Sequence, residues 1–374
     1  MDPRNLKTLT VLIIGLCLVP GTASANAGTP LMWFGLFYLA IGNAILGVIE
    51  GLLVSRWFGV GKGKSIALLI AANYLSSWIG AWLLLDHIVP QVGPTIETIG
   101  FWFWIFVLLA IAFTLLIEFP FHRLVLQGRT RPWYSALAST GAVHLLTYPL
   151  ILFLFWSFSS ASMMTQLDVV NPDELNLPKD HRMYWISPEG DAVFRSGIDG
   201  TEPERIAEVD APRSKDGLVA HLEESESEAG LRLSLVSGSG EDVVRKIRKL
   251  AGESPIDPQV AEYGPNVWHS HRYHHPALRL TEDSDWEIRS RPAIIGDQIS
   301  TGERFQFALE TPFAAWHAVA ATHLEGDLVI FQLGRDQICI IDPIRREIAL
   351  IVQGKSPVVE VISASLPRDR SAPN

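Results

Sequence analysis

The stretch NAILGVIEGLLVSRWFGVGKGKSIALLIAANYLSS, residues 43–77, decides the fold. Two apolar runs flank a short basic turn, and each run carries polar residues that belong more naturally in water. Ile49-Glu50 sits near the end of the first run, Arg56 follows, and Asn73-x-x-Ser76 lies inside the second. The stretch TLLIEFPFHRLVLQGRTRPWYSALASTGAVHLLT, residues 114–147, repeats the arrangement with Ile117-Glu118, Arg123, a basic turn and His144-x-x-Thr147. A carboxylate at membrane depth costs at least ~2.5 kcal/mol on insertion scales, so it is usually paired and often functional. The matched positions predict a two-helix unit present twice.

Working outward, four runs near 31–53, 65–85, 99–118 and 136–158 meet the length of about 20 apolar residues that a bilayer requires. Trp33, Trp82, Trp102, Trp104, Trp133 and Trp156 fall near their ends, where interfacial aromatic anchors sit. Gly42, Gly47 and Gly51 give the first span a small-residue edge that admits a close neighbour. The first 25 residues read as a secretory signal. Arg4 and Lys7 lead an apolar core from Thr8 to Val19, Pro20-Gly21 breaks it, and Ala23-Ser24-Ala25 offers a cleavage site. Cys17 lies in that core, but Leu16 stands where a lipoprotein signal needs Gly or Ala.

The turn holding Arg56, Lys62 and Lys64 and the turn holding His122, Arg123, Arg129 and Arg131 are basic, whereas 86–98 has Asp86 and Glu97 and no Lys or Arg. The positive-inside rule then puts both basic turns in the cytoplasm and the C-terminal half outside it. The expected organisation is a signal peptide at 1–25, a four-helix membrane domain at 26–160, a linker at 161–180 and an extracytoplasmic β domain at 181–374. A bacterial-type inner membrane is the expected site, with an oligomer compatible with so few spans. Residues 1–164 carry a balance of +3 and residues 165–374 a balance of −13, within a total of −10. An acidic soluble half argues against nucleic acid as a partner.

Asn43 and Glu50 are seven apart and share a helix face, with Asn73 and Ser76 as counterparts on the next span. Glu118, His144, Thr147 and the Tyr148-Pro149 step form the second set. One reading is interhelical glue, in which the carboxylates accept hydrogen bonds or pair with Arg56 and Arg123, each contact averaging ~0.6 kcal/mol. Another is a proton- or ion-handling site with His144 as relay. A third is lipid or small-molecule binding between the repeats. The run Gly59-Val-Gly-Lys-Gly-Lys-Ser65 is not a phosphate loop, because Phe58 occupies the position of the leading glycine.

Beyond the linker the chain reads as short strands. Met183–Ser187 and Asp191–Arg195 flank the turn Pro188-Glu-Gly190. Leu218–Leu222 and Leu231–Val236 form a pair, and Asp327–Phe331, Gln337–Ile341, Glu347–Val352 and Val358–Ile362 predict a four-stranded meander. Tyr184-Trp-Ile-Ser-Pro-Glu-Gly-Asp191, with Phe194-Arg195 and Asp199-Gly-Thr-Glu-Pro203, resembles a blade of the TolB or YWTD class of β-propellers. Residues 327–362 resemble another. The resemblance implies a propeller-like binding platform, with a β-sandwich as the alternative. Residues 253–300, rich in His, Pro and Trp, depart from its pattern.

Trp268-His269-Ser-His271-Arg-Tyr-His274-His275 packs four His into seven residues. On a strand His269 and His271 share a face and offer a ligand pair for zinc or copper; no other cofactor is implied. Cys339, inside an apolar strand, reads as core. No serine-elbow spacing occurs. The leading function class is therefore a membrane-anchored envelope binding or scaffold protein whose β domain holds a protein partner or small ligand. A small transport or ion-coupled device using the intramembrane carboxylates comes second, and a metal-dependent envelope enzyme third.

Overall fold

Unbroken apolar runs with internally satisfied backbones give the first half its helices. The structure, a computed structural model, describes residues 35, 37–158, 166–211, 217–223, 230–236, 243–249, 275–276, 278–280, 284–290, 293–307 and 316–362. Helix α1 is Asn43–Phe58, entered through a π-helical turn at Tyr38–Gly42. Helix α2 is Lys62–Ala81 and continues through Trp82–Ile88 and Val89–Val92. Helices α3 and α4 are Ile99–Val125 and Pro132–Phe158. All four are long and apolar enough to cross a membrane. Gly59, at φ +58°, ends α1 in the left-handed conformation that a side chain would disfavour.

α3 extends seven residues beyond the expected end of its span, through Pro120, because Phe119, Phe121, Leu124 and Val125 keep the run apolar. α1 packs on α2, α2 on α3, α3 on α4 and α4 on α1, so the four close on themselves. Gly47 and Gly51 set the closest approach: a Cβ added there would stand 2.5 Å from Ile70 Cα and 2.6 Å from Ile66 Cα. Near the two basic turns, Val54, Leu69, Ala72, Val125, Leu126, Ala136 and Val143 form an apolar cluster. Leu108, Leu116, Leu145 and Phe153 point outward, as lipid-facing residues do.

The chain divides into two compact units, of which the second is built of strands. Strands β1 (Asp168–Val169), β2 (His181–Ile186), β3 (Ala192–Gly197) and β4 (Glu204–Glu208) come first. Then follow β5 (Gly217–Glu223), β6 (Gly230–Val236), β7 (Val243–Lys249), β8 (His275–Pro276) and β9 (Leu278–Arg279). The remainder are β10 (Trp286–Ser290), β11 (Ile294–Gln298), β12 (Arg304–Phe307), β13 (Ala318–His323) and β14 (Val329–Leu333), with β15 (Gln337–Asp342), β16 (Glu347–Gln353) and β17 (Lys355–Val361). Among the described residues they form four sheets, ordered β1-β16-β15-β14-β13-β9, β12-β11-β10-β8, β17-β2-β3-β4 and β5-β6-β7, and none closes into a barrel. Residues 166–180 belong to this unit, where β1 pairs in parallel with β16.

The expected meander holds for β14, β15 and β16, whereas β17 leaves it and pairs with β2. Gly354 makes the turn, its amide bonded to the Asp336 carbonyl and its Cα side so close to Trp185 that no Cβ fits. β2 buries both faces, Met183 and Trp185 in one core, Tyr184 and Ile186 in another. That accounts for its near-continuous apolar sequence. Cys339 is fully buried in β15, and burial pushes its thiol up, away from reactivity.

Tyr184 donates a 2.6 Å hydrogen bond to Glu360 on β17, and both are buried. Burial first, then Glu360, pushes the phenol up to about 12. Since the folded value lies above the unfolded one, its stabilisation is whole below pH about 10 and is lost as pH climbs toward 12. Tyr184→Phe is expected to lower stability at neutral pH by ~1–3 kcal/mol and to lose that alkaline slope, as read by denaturant midpoints from pH about 9 to 12.

Candidate functional site: a carboxylate and histidine cluster within the four helices

Helical periodicity turns polar residues of all four helices inward. Glu50 on α1 is 1 % exposed, Glu118 and His122 on α3 are 0 %, and His144 on α4 is 5 %. Asn73 Nδ2 on α2 donates to Glu50 Oε2 at 2.6 Å and to the Leu69 carbonyl at 3.0 Å. Ser76, one turn on, donates to Glu118 Oε1 at 2.6 Å. The two hairpins are thereby cross-braced, since Ser76 serves the carboxylate of the second hairpin. Thr147 of α4 is buried beside Glu50 of the first.

His144 stands between the two acids. Its Nε2 is 3.2 Å from Glu118 Oε2 and its Nδ1 is 3.8 Å from Glu50 Oε1. A cavity of about 20 Å³, room for one water or bare ion, is lined by Glu50, Asn73, Ser76, Glu118, His144 and Thr147. Asn43, fully buried, accepts from Ser77 Oγ at 2.8 Å, so its partner on α2 is Ser77 and not Asn73.

Neither carboxylate turns to an arginine. Arg56 is exposed, and Arg123 is exposed with its guanidinium 4.1 Å above the Trp133 ring. The acids instead remain inside with neutral donors and one imidazole. Interhelical bonds of this kind fix register, yet apolar residues would pack as well without removing two carboxylates from water.

His122, which reads from sequence as part of the basic turn, belongs to the cluster. It lies on α3, one helical turn after Glu118, and its Nδ1 is 2.9 Å from Ser139 Oγ on α4. The signal was the spacing Glu118-x-x-x-His122, which puts both on one face once the helix is known to continue. The His122 and His144 rings are 6.3 Å apart. Glu118, His122 and His144 each offer one ligand atom, all within 4.8 Å of one another.

The other expected ligand cluster falls largely elsewhere: His269, His271 and His274 lie outside the described residues, and His275 opens β8. In the β unit, the Ser187 hydroxyl organises the turn before β3, donating to Asp191 Oδ1 at 2.6 Å while the amides of Gly190, Asp191 and Ala192 donate to it. That bond holds the Asp191 carboxyl below its ordinary range.

No protein-family model matches the chain, and no curated protein matches it.

Proposed function

We propose that this is a small transport or ion-coupled protein of an envelope membrane, which takes a cation into the centre of its four helices. The observation that supports this is the sharing of one buried histidine by two buried carboxylates, Glu50 and Glu118, across both hairpins. Ionisable groups at that depth are rare and by default mark an ion or proton path. Asn73 and Ser76 supply oriented neutral donors, and the cavity beside them has the size of an ion. The charge pattern of the turns favours the β unit on the extracytoplasmic side of an inner membrane.

The anchored binding or scaffold reading stands second. An open groove in the β unit, lined by Trp185, Ser187, Phe194, Arg205 and Gln353, favours it. The placement of β17 on the edge of the β2-β3-β4 sheet, paired with β2, suits a propeller-like ring in which the last strand completes the first blade.

The test is cation movement into proteoliposomes. Vesicles carrying the purified protein and an internal dye for protons, alkali ions or divalent ions are expected to take up one class, and His144→Gln should slow uptake by roughly tenfold or more. Uptake no faster than in protein-free vesicles, for every cation tried, would move the function to the β unit.

A further inference from the structure

We infer that Glu118, His122 and His144 are the ligands of a divalent first-row transition metal ion of the zinc class. This rests on the reading that the helices hold a cation, and it names which. His122 Nε2 is buried without a hydrogen-bond partner, and beside it the buried Glu118 Oε2 and His144 Nε2 have only each other, 3.2 Å apart. A buried polar atom without a partner costs about 1–3 kcal/mol, so an orphaned imidazole nitrogen gathered with this pair points to something that satisfies all three together.

The other polar atom is hydrogen-bonded in His122 and Glu118 and faces a carboxylate in His144. Ser139 meets His122 Nδ1 at 2.9 Å, Ser76 meets Glu118 Oε1 at 2.6 Å, and Glu50 Oε1 lies 3.8 Å from His144 Nδ1. Metal-bound histidines characteristically give their second nitrogen to such a partner, which fixes the tautomer and turns the first nitrogen toward the ion. Tetrahedral zinc ligands stand about 3.4 Å apart, so separations within 4.8 Å close by at most about 1.4 Å on binding. Two imidazoles select zinc-class ions over magnesium, calcium and alkali ions, which prefer all-oxygen shells.

Charge gives the second carboxylate its place. Glu118 and Glu50 together balance a doubly charged ion, so the loaded site is neutral and avoids the large desolvation cost of net charge in the membrane. Three protein ligands also leave a fourth position.

The experiment uses the full chain in detergent, stripped with a chelator, then dialysed against zinc chloride and assayed for metal per chain. Wild type is expected to hold one zinc, and so is the variant with His269, His271, His274 and His275 all changed to Ala. His122→Ala should lose affinity by about 100-fold, and Ser139→Ala by roughly tenfold. Because a variant can fail to fold, cobalt is also added to wild type, where a tetrahedral visible spectrum with imidazole ligands is expected.

No metal on wild type, metal held equally by His122→Ala, or metal lost only with the 269–275 histidines each overturns the inference. If vesicles move protons or alkali ions and the protein takes no zinc, the inference falls and the cation reading survives. If zinc binds through His122 while no cation crosses, the site is a resident metal centre and the transport reading falls.

Discussion

The double variant Glu50→Gln, Glu118→Gln is expected to melt at the same temperature as metal-free wild type, or higher, while losing cation uptake altogether. Glutamine keeps the length of the side chain, and its carbonyl still accepts from Asn73 and Ser76, which bond the acids at 2.6 Å in each case. What it removes is charge: two carboxylates share one small cavity and one histidine there. Replacing buried ionic groups by neutral ones of similar volume is often neutral or stabilising by ~1–4 kcal/mol. Sites maintained for function commonly carry such a stability deficit. Thermal unfolding in detergent from pH about 5 to 8, beside the vesicle assay, separates the readings. A lower melting temperature with uptake intact would make the acids structural glue.

Gly51→Leu should strongly lower stability although it lies outside the cluster. Its Cβ would meet the backbone of Ile66 at 2.6 Å, where no rotamer change can relieve the contact. The helices must separate, with a cost of about 1–3 kcal/mol or more, and Gly47→Leu should act alike against Ile70. Separation also pulls Glu50 from Asn73, so the variant should lose ion handling along with stability. Gly141→Leu on α4 serves as the control, because nothing lies within 4 Å of its Cβ position and the effect should stay within ~0.5 kcal/mol. Equal melting temperatures for Gly51→Leu and Gly141→Leu would show that the α1–α2 contact is looser than described.

The helices and most strands were legible because hydrophobic period and length are local properties, and Glu50 facing Asn73 followed from the same arithmetic. Ser76 reaching Glu118 did not, since the partner of a side chain on α2 depends on which helix closes the ring. His122 was hidden by its neighbours: Pro120 and Arg123 look like the end of a span, and only the apolar residues around them carry α3 onward. From sequence β17 reads as a strand of its predecessor's sheet for a related reason. An apolar strand can complete either sheet, and the tight turn at Gly354 against Trp185 directs it to β2.

That strand exchange also has a temporal side. β2 finds its edge partner in a segment made roughly 170 residues later, with Tyr184 and Glu360 176 positions apart. Long loops of this kind close slowly, because entropy is lost before the contacts are gained. The sheet therefore stays open through most of synthesis and gains its edge only after the ribosome has passed Val361. A nascent chain halted before that point would present β2 with a bare, apolar edge, the kind of surface that chaperones and proteases recognise.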